Sequence, residues 1–143
     1  MSSTYVPFVD YQISSSSGSF TTTSTSYVDV TNLSVTITTS GRPVMIGMTM
    51  DGSTSPTSSL RAYNTSTGSI ANGSIKFVRD STDIGALSLV ANGVNASVGC
   101  SSVGAMMIDH PAAGTYTYKL QGITVSPATL EVTHWKLFAY EIG

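Results

Sequence analysis

The sequence predicts an all-β domain, with the architecture of an antiparallel β-sandwich or jelly roll. Short apolar runs recur along the 143 residues, and clusters of Ser, Thr, Gly, Asn and Pro separate them. No segment shows the periodicity of an amphipathic helix. Charged residues account for only 10% of the chain, and this low charge together with a positive mean hydropathy argues against disorder. Many short strands with frequent turns are typical of a sandwich or jelly roll rather than a propeller.

The predicted strands follow one another along the chain, about eight to ten in all. In residues 33–39, Leu33, Val35 and Ile37 share one face and hydroxyl side chains share the other, which is the pattern of a half-buried strand. Residues 44–50 are apolar on both faces and are predicted to lie in the middle of a sheet. The other strands are predicted at residues 27–30, 60–63, 74–79, 84–90, 103–109, 114–121 and 131–142.

Turns and loops are predicted between these strands. Thr31 and Asn32 are expected to form a turn, and the Asn- and Gly-rich residues 91–102 a long loop. Asp80–Asp83 is a tight connection, so the strands on either side of it are predicted to form a β-hairpin.

Residues 1–18 are predicted to form an N-terminal arm or edge strand ahead of a single jelly-roll domain at residues 19–143. Pro7 excludes an inner strand, so this segment either packs on the domain's own core or reaches a neighbouring subunit. Its last part, Ser14–Gly18, is expected to be a flexible loop. A single domain fits the length of the chain.

The composition excludes several classes of partner. With a net charge of −2 and six scattered Lys and Arg, the chain offers no basic patch for nucleic acid. No apolar run approaches the length of a membrane span and no signal peptide is recognisable, so we expect a protein made in the cytosol without membrane attachment. Cys100 is the only cysteine, which excludes a disulfide within the chain. A surface of small uncharged residues costs little to desolvate, so an oligomer is expected.

No pattern in the sequence predicts catalysis, a metal or a cofactor. Asp80 and Asp83 could hold Ca²⁺, but two carboxylates at a hairpin connection are more typical of turn residues. Asp109 and His110 lie beside each other in a Ser-rich chain, yet no nucleophile elbow accompanies them. We therefore predict a protein that is not an enzyme.

The last predicted strand, residues 131–142, is apolar on both faces. Strict alternation places Trp135, Leu137 and Ala139 in the core of the sandwich. The residues of the opposite face are Val132, His134, Phe138 and Tyr140. That face is too apolar to remain in water, so these four residues are predicted to contact a partner subunit.

Four segments, at residues 25–44, 77–85, 113–121 and 137–142, resemble a family of phage-associated jelly-roll domains. That family is similar to the tumour-necrosis-factor and C1q type of sandwich and occurs in capsid decoration proteins, head fibres and tail-fibre tips. The resemblance implies a homotrimer in which the terminal strand lines the three-fold axis.

Among the roles in that family, the short segment ahead of the sandwich favours a capsid decoration, or cement, protein on the outer surface of a phage head. It would bind the major capsid protein or another virion protein after assembly in the bacterial cytoplasm. Tyr5, Phe8 and Tyr11 are the predicted shell-docking residues. The alternative is a receptor- or carbohydrate-binding fibre tip, which would use Tyr63 and the loops around Asn64, Asn72 and Asn95.

Overall fold

The computed structural model describes residues 8–54, 58–65, 70–92 and 98–143, with side chains from residue 10 onward. The predicted all-β class is confirmed, because the regular elements of these ranges are strands. They are β1 (Phe8–Ile13), β2 (Ser19–Thr22), β3 (Val28–Thr39), β4 (Val44–Met50), β5 (Ser59–Asn64), β6 (Ile70–Arg79), β7 (Thr82–Asn92), β8 (Val98–Ser101), β9 (Met106–Asp109), β10 (Gly114–Thr124), β11 (Thr129–Thr133) and β12 (Trp135–Ile142). In these ranges no helix has the length and apolar character needed to cross a membrane.

The strands form three antiparallel four-stranded sheets, which make two layers. One layer is the β10 sheet, with the order β3-β10-β6-β7. The other layer consists of the β12 half-sheet, in the order β1-β12-β4-β9, and the β11 half-sheet, in the order β2-β11-β5-β8. The two half-sheets correspond strand for strand, because β1 leads into β2, β4 into β5, β8 into β9 and β11 into β12. They are therefore two ends of one layer, interrupted along a seam at residues 14–18, 51–54, 102–105 and 134.

The chain visits the two layers in the order of a jelly roll. Apart from the seam, every connection crosses between layers except the one in the β6–β7 hairpin. Two four-stranded layers connected in this way have jelly-roll topology, which confirms the predicted fold. The structure has more strands than the eight to ten predicted, mainly because the seam divides each of the four long strands of one layer into two shorter ones.

Most predicted strands are present, and two local predictions are wrong. The chain passes Thr31 and Asn32 without a turn, because Asn32 adopts a left-handed φ of 65° and the pairing of β3 with β10 shifts register there. A bulge therefore replaces the turn, in a conformation that Asn tolerates better than most residues. Residues 98–101, expected within a loop, form β8 at the edge of the β11 half-sheet.

The core lies between the layers and contains the apolar residues that alternation predicted. Leu33, Val35 and Ile37 of β3 are all buried, as are Trp135 and Leu137 of β12. The indole N–H of Trp135 donates a 2.9 Å hydrogen bond to the backbone carbonyl of Ser59. This bond satisfies the polar atom that burial of a Trp brings into the core.

Ser14–Gly18 forms the predicted loop, and hydrogen bonds hold it against β12. The N–H of Ser14 donates to the carbonyl of Leu137 at 2.8 Å, and the Ser14 hydroxyl accepts from the Leu137 N–H at 2.8 Å. Ser17 makes the same pair of bonds with Trp135, at 2.8 and 3.1 Å. Serine hydroxyls thus replace the strand-to-strand hydrogen bonds where the edge strand is interrupted.

Gly122 of β10 marks a close approach between the two layers. A Cβ at Gly122 would collide with Leu130 of β11. Gly122→Val is therefore expected to lower the free energy of unfolding by about 1–3 kcal/mol, because the added side chain overpacks the core. Urea unfolding followed by Trp135 fluorescence measures this change.

Gly99→Val is the matched control for Gly122→Val, since Gly99 is exposed and a Cβ there meets its neighbours at 3.5 Å or more. Its unfolding midpoint should stay near that of the unmodified protein. Equal shifts in the two variants would contradict the close-approach argument.

Candidate functional site

The β12 half-sheet carries an apolar surface on the side that points away from the core, here called the outer face. Strand register defines it, because paired residues of antiparallel strands point to the same side. Its positions on β12, β4 and β9 are Lys136, Phe138, Tyr140, Ile142, Met45, Gly47, Thr49, Met106 and Ile108. Tyr11 and Ile13 of β1 join it through their pairing with Tyr140 and Phe138. Lys136 is the single charged residue among these eleven positions.

Aromatic rings form a row across the outer face. The rings of Tyr11 and Tyr140 stack with centroids 5.8 Å apart, and those of Tyr140 and Phe138 lie 5.1 Å apart. Phe138 covers Gly47, where a Cβ would come within 2.6 Å of the ring and 3.0 Å of the Met106 side chain. Gly47 therefore allows Phe138 to lie flat on the sheet, which explains why Phe138 is buried although it points outward.

One end of the aromatic row and several of its apolar neighbours are exposed. Tyr11, Ile13, Met106 and Ile108 expose 60%, 46%, 66% and 51% of their surface, and all four lie on the outer face. Isolated exposed apolar residues are ordinary, but a group on one side of one sheet marks a surface suited to interaction.

The opposite side of the sandwich has a different chemistry. On the outward side of the β10 sheet, the hydroxyls of Thr36 and Thr117 lie 2.8 Å apart and those of Thr38 and Thr115 lie 2.9 Å apart. Such a surface interacts well with water. This polar surface belongs to β3 and β10, whereas the β6–β7 end of the same sheet exposes Ile70 and Val90 by 54% and 48%.

The structure brings together some of the residues predicted for shell docking and some of those predicted for the trimer interface. Tyr11 was predicted to dock on a shell, whereas Phe138 and Tyr140 were predicted at a trimer interface. All three belong to one aromatic row. Phe8 pairs through its backbone with Ile142 at the edge of the same half-sheet, and its side chain lies outside the described part. Tyr5 also lies outside the described residues.

Two residues predicted for the interface lie elsewhere. Val132 is fully buried in the core of the domain, so its assignment to an exposed face is corrected. His134 lies at the seam, where its φ of 61° separates β11 from β12. Inward and outward positions exchange across this residue, and the alternation counted back from Phe138 therefore fails at Val132.

Sequence reasoning missed the contribution of β9. Met106 and Ile108 are the most exposed apolar residues of the outer face together with Tyr11. Their spacing of two residues in a predicted strand was a signal that both point to one side. The side they point to depends on the pairing of β9 with β4, which the sequence does not reveal.

A hydrogen-bonded group joins three segments at the seam. The Asp51 carboxylate accepts from the Ser16 hydroxyl at 2.6 Å and from the Ser53 N–H at 2.7 Å, and it lies 2.9 Å from Nδ1 of His134. These hydrogen bonds, the one from Ser16 first, lower the pKa of Asp51 from 3.8 to about 2. The carboxylate is therefore held ionised, and it connects three of the segments that form the seam.

Asp51→Asn is expected to flatten the acid dependence of stability. A carboxyl whose pKa falls from 3.8 to about 2 on folding stabilises the protein above pH 3.8, and this contribution is lost as the pH falls toward 2. The variant should lose part of the slope of unfolding midpoint against pH in that window, as measured by thermal unfolding. Ser16→Ala should reproduce some of this loss, and an unchanged slope in both variants would rule out the anchoring role.

Asp109, the carboxylate weighed for an enzymatic role, is engaged in structural contacts. Its Oδ2 accepts from the Arg79 guanidinium at 2.6 Å and from the Tyr118 hydroxyl at 2.9 Å. Burial, and then the hydrogen bond to Asp109, raise the pKa of Tyr118 well above its ordinary value of 10.0. Tyr118 is thus a neutral donor that fixes Asp109 at the end of the core, and His110 beside it is exposed.

The carboxylates considered for Ca²⁺ serve the β6–β7 hairpin. Asp80 accepts from the Thr117 N–H at 2.9 Å, and Asp83 lies 2.7 Å from Nζ of Lys76. Across residues 8–54, 58–65, 70–92 and 98–143, no three His, Cys, Asp or Glu side chains are grouped as metal ligands would be.

The residues named for carbohydrate binding do not form one loop cluster in the described part of the chain. Asn64 is 3% exposed and donates to the carbonyl of Ile70 at 3.4 Å. Tyr63 is half-buried, with the Arg61 guanidinium 4.7 Å from its ring centroid. Asn72 lies in β6, and Asn95 lies outside the described residues.

No family model and no curated protein sequence matches this chain. Among solved structures, it is similar to a structure of infectious bursal disease virus, strain Gx, at 10% identity and a TM-score of 0.41 over 95% of this chain. It is also similar to the VP2 subviral particle of infectious bursal disease virus, at 11% identity and a TM-score of 0.38 over 94% of this chain. The chain spans 33% and 38% of the length of those two chains. Likenesses this distant carry no argument about function, which has to come from the residues themselves.

Proposed function

We propose that this chain is a non-enzymatic structural protein of a virion, a homotrimer that decorates and stabilises a bacteriophage head. The observation that supports this proposal is the apolar outer face of the β12 half-sheet. Covering exposed apolar side chains such as Tyr11, Met106 and Ile108 stabilises an assembly by roughly 25 cal/mol per Å² before ordering costs.

The proposed cover of the outer face is a second copy of the chain. Lys136 is its only charged position, so the face offers no charge pattern that would select an oppositely charged partner. The resemblance of the terminal strand to the family described above supports a three-fold arrangement. In that arrangement Phe138 and Tyr140 would pack near the axis, with Met106 and Ile108 beside them.

The proposed shell contact lies at the N-terminal end of the domain. β1 is the edge strand of the β12 half-sheet, so the chain enters the domain at the rim of the outer face. Residues ahead of β1, Tyr5 among them, would contact the major capsid protein or another virion protein on the outside of the capsid. Tyr11 would then serve the trimer rather than the shell.

Two measurements test this proposal. Sedimentation equilibrium of the purified protein should give three times the 14.9 kDa of one chain. Phage particles made without the protein should release their DNA at a lower temperature than intact particles, and adding the protein back should restore the difference. A monomer in sedimentation, or equal heat resistance of both kinds of particle, would reject the decoration role.

The position of the protein on the phage particle distinguishes the decoration role from the alternative role as a fibre tip. Antibodies against the protein, seen by immunogold electron microscopy, should label the capsid of intact phage. Label confined to the tail or to fibre ends would replace decoration by the fibre-tip function.

A further inference from the structure

A polar pocket of about 530 Å³ opens on the outward side of the β11 half-sheet. Its lining includes Ser19, Ser59, Arg61, Glu131, Thr133 and His134. The volume lies within the range of small-molecule sites. None of these residues belongs to the outer face of the β12 half-sheet, so the pocket is separate from the proposed assembly surface.

Strand register explains why these side chains meet. Thr133 of β11 pairs with Ser19 of β2 on one side and with Ser59 of β5 on the other, which places three hydroxyl residues in one row. The next row with the same orientation holds Glu131 and its partner Arg61. His134 adds an imidazole at the seam end of the pocket.

Thr133 carries the observation that points to a ligand. The residue is 6% exposed, and in the part of the chain that the structure describes its Oγ1 is buried without a hydrogen-bond partner. A buried hydroxyl in this condition costs about 1–3 kcal/mol. Thr133 is also one of the residues that line the pocket, so a ligand with a hydroxyl group would lie against the residue that lacks a partner.

The charges of the pocket indicate a neutral ligand. Arg61 and Glu131 lie 3.1 Å apart and neutralise each other, and Glu131 also accepts from the Ser59 hydroxyl. Nδ1 of His134 lies 2.9 Å from the Asp51 carboxylate, which balances the imidazole at the seam end of the pocket. The pocket therefore combines donors and acceptors with no excess charge that would favour a phosphate or a metal ion.

We infer that this pocket binds a neutral saccharide unit. A pyranose ring presents several hydroxyls that both donate and accept, and these match the hydroxyls of Ser19 and Thr133 and the planar groups of Arg61 and Glu131. Tyr63, next to Arg61 on the same side of β5, extends the surface with an aromatic ring. The inference moves carbohydrate binding away from the loops around Asn64, Asn72 and Asn95.

Saturation-transfer-difference NMR on the full chain tests the inference. The probes are the methyl glycosides of glucose, galactose, mannose and N-acetylglucosamine, with glucose 6-phosphate as the charged comparison. At least one neutral glycoside should bind with a dissociation constant on the order of 1 mM, as expected for a single small unit. No signal from any neutral glycoside, or tighter binding of the phosphate, would overturn the inference.

Two variants connect the binding to the pocket. Thr133→Val keeps the shape of the side chain but removes its hydroxyl, and it should weaken binding about fivefold. Arg61→Gln should weaken binding by a similar factor and covers the case in which Thr133→Val does not fold. Thr36→Val, on the β10 sheet, is the control and should bind normally. Unchanged binding in both pocket variants would show that the glycoside binds elsewhere and would overturn the assignment.

Discussion

Replacing Ile108 by Asp is expected to convert the assembled protein into monomers that remain folded. Ile108 is 51% exposed in the single chain, so the domain itself does not need its side chain. In the proposed trimer, however, the new carboxylate would be buried in an apolar contact without a partner. That penalty is about 3 kcal/mol or more, which raises the dissociation constant at least about 100-fold.

Analytical ultracentrifugation measures this dissociation, and circular dichroism shows whether the fold survives. Thr36→Asp is the control, because it places the same charge on an exposed strand position of the β10 sheet. The control should sediment like the unmodified protein. If Ile108→Asp also did so, the outer face would not be the assembly surface.

Ile108 gives a cleaner test than Phe138, although Phe138 was predicted at the interface. Phe138 is 9% exposed and packs on Gly47 within its own chain. Phe138→Asp would therefore damage the domain and the assembly together. Tyr140→Asp is expected to destabilise the domain more than Ile108→Asp and less than Phe138→Asp, since Tyr140 is half-buried and stacks with Tyr11.

Replacing Glu141 by Leu should cause a large loss of stability in the domain itself. Glu141 occupies a core-facing position of β12 and is 1% exposed. Its Oε1 accepts from the Thr39 hydroxyl at 2.7 Å and from the backbone and side chain of Ser40 at 2.6 and 2.7 Å. The carboxylate thus ties the last strand to the turn between β3 and β4.

The expected loss in the free energy of unfolding is about 2–4 kcal/mol for Glu141→Leu, because several donors lose their acceptor at once. Glu141→Gln keeps one acceptor oxygen and should lose about half as much. Urea unfolding measures both variants. Asp83→Asn, at a carboxylate whose side chain is 63% exposed, should cost less than about 1 kcal/mol. Glu141→Leu unfolding at the same urea concentration as Asp83→Asn would refute the role of Glu141.

The lowered pKa of Glu141 makes its contribution to the free energy of unfolding depend on pH. Burial raises the pKa, but the hydrogen bonds from Thr39, Ser40 and Arg42 lower it more, so the folded value lies below 4.5. Between the folded value and 4.5, the unfolded chain binds a proton that the folded chain does not. Stability from Glu141 is therefore present above pH 4.5 and is lost as the pH falls through the folded pKa. Glu141→Gln should reduce this acid sensitivity.

Features that depend on alternation within one strand could be predicted from the sequence. Leu33, Val35 and Ile37 were placed in the core because a strand repeats every two residues, and all three are buried. Residues 44–50 were predicted to be central because both faces are apolar, and β4 lies between β12 and β9. The number and spacing of such strands predicted a β-sandwich or jelly roll, and the family resemblance favoured the jelly roll.

Features that depend on one irregular residue could not be predicted. Leu130 and Val132 face the core before His134, and Trp135 and Leu137 face it after, so the inward positions change from even to odd numbers. A left-handed φ at a single His causes this change, and no composition rule marks that position. The anchoring role of Glu141 had a signal, since a carboxylate at a core-facing position requires partners. Its partners in the Ser40 turn became visible only in the fold.

The seam affects how many copies of the polar pocket an assembled protein would present. It lets two ends of one layer carry different surfaces, an apolar one on the β12 half-sheet and a polar pocket on the β11 half-sheet. A trimer joined through the first would display three copies of the second on one rigid body. Ligands that bind weakly one at a time can hold such a body firmly when they are grouped, because each further binding step takes place at a high effective concentration. Glycans clustered on a cell surface would then retain the trimer far longer than any single sugar unit could.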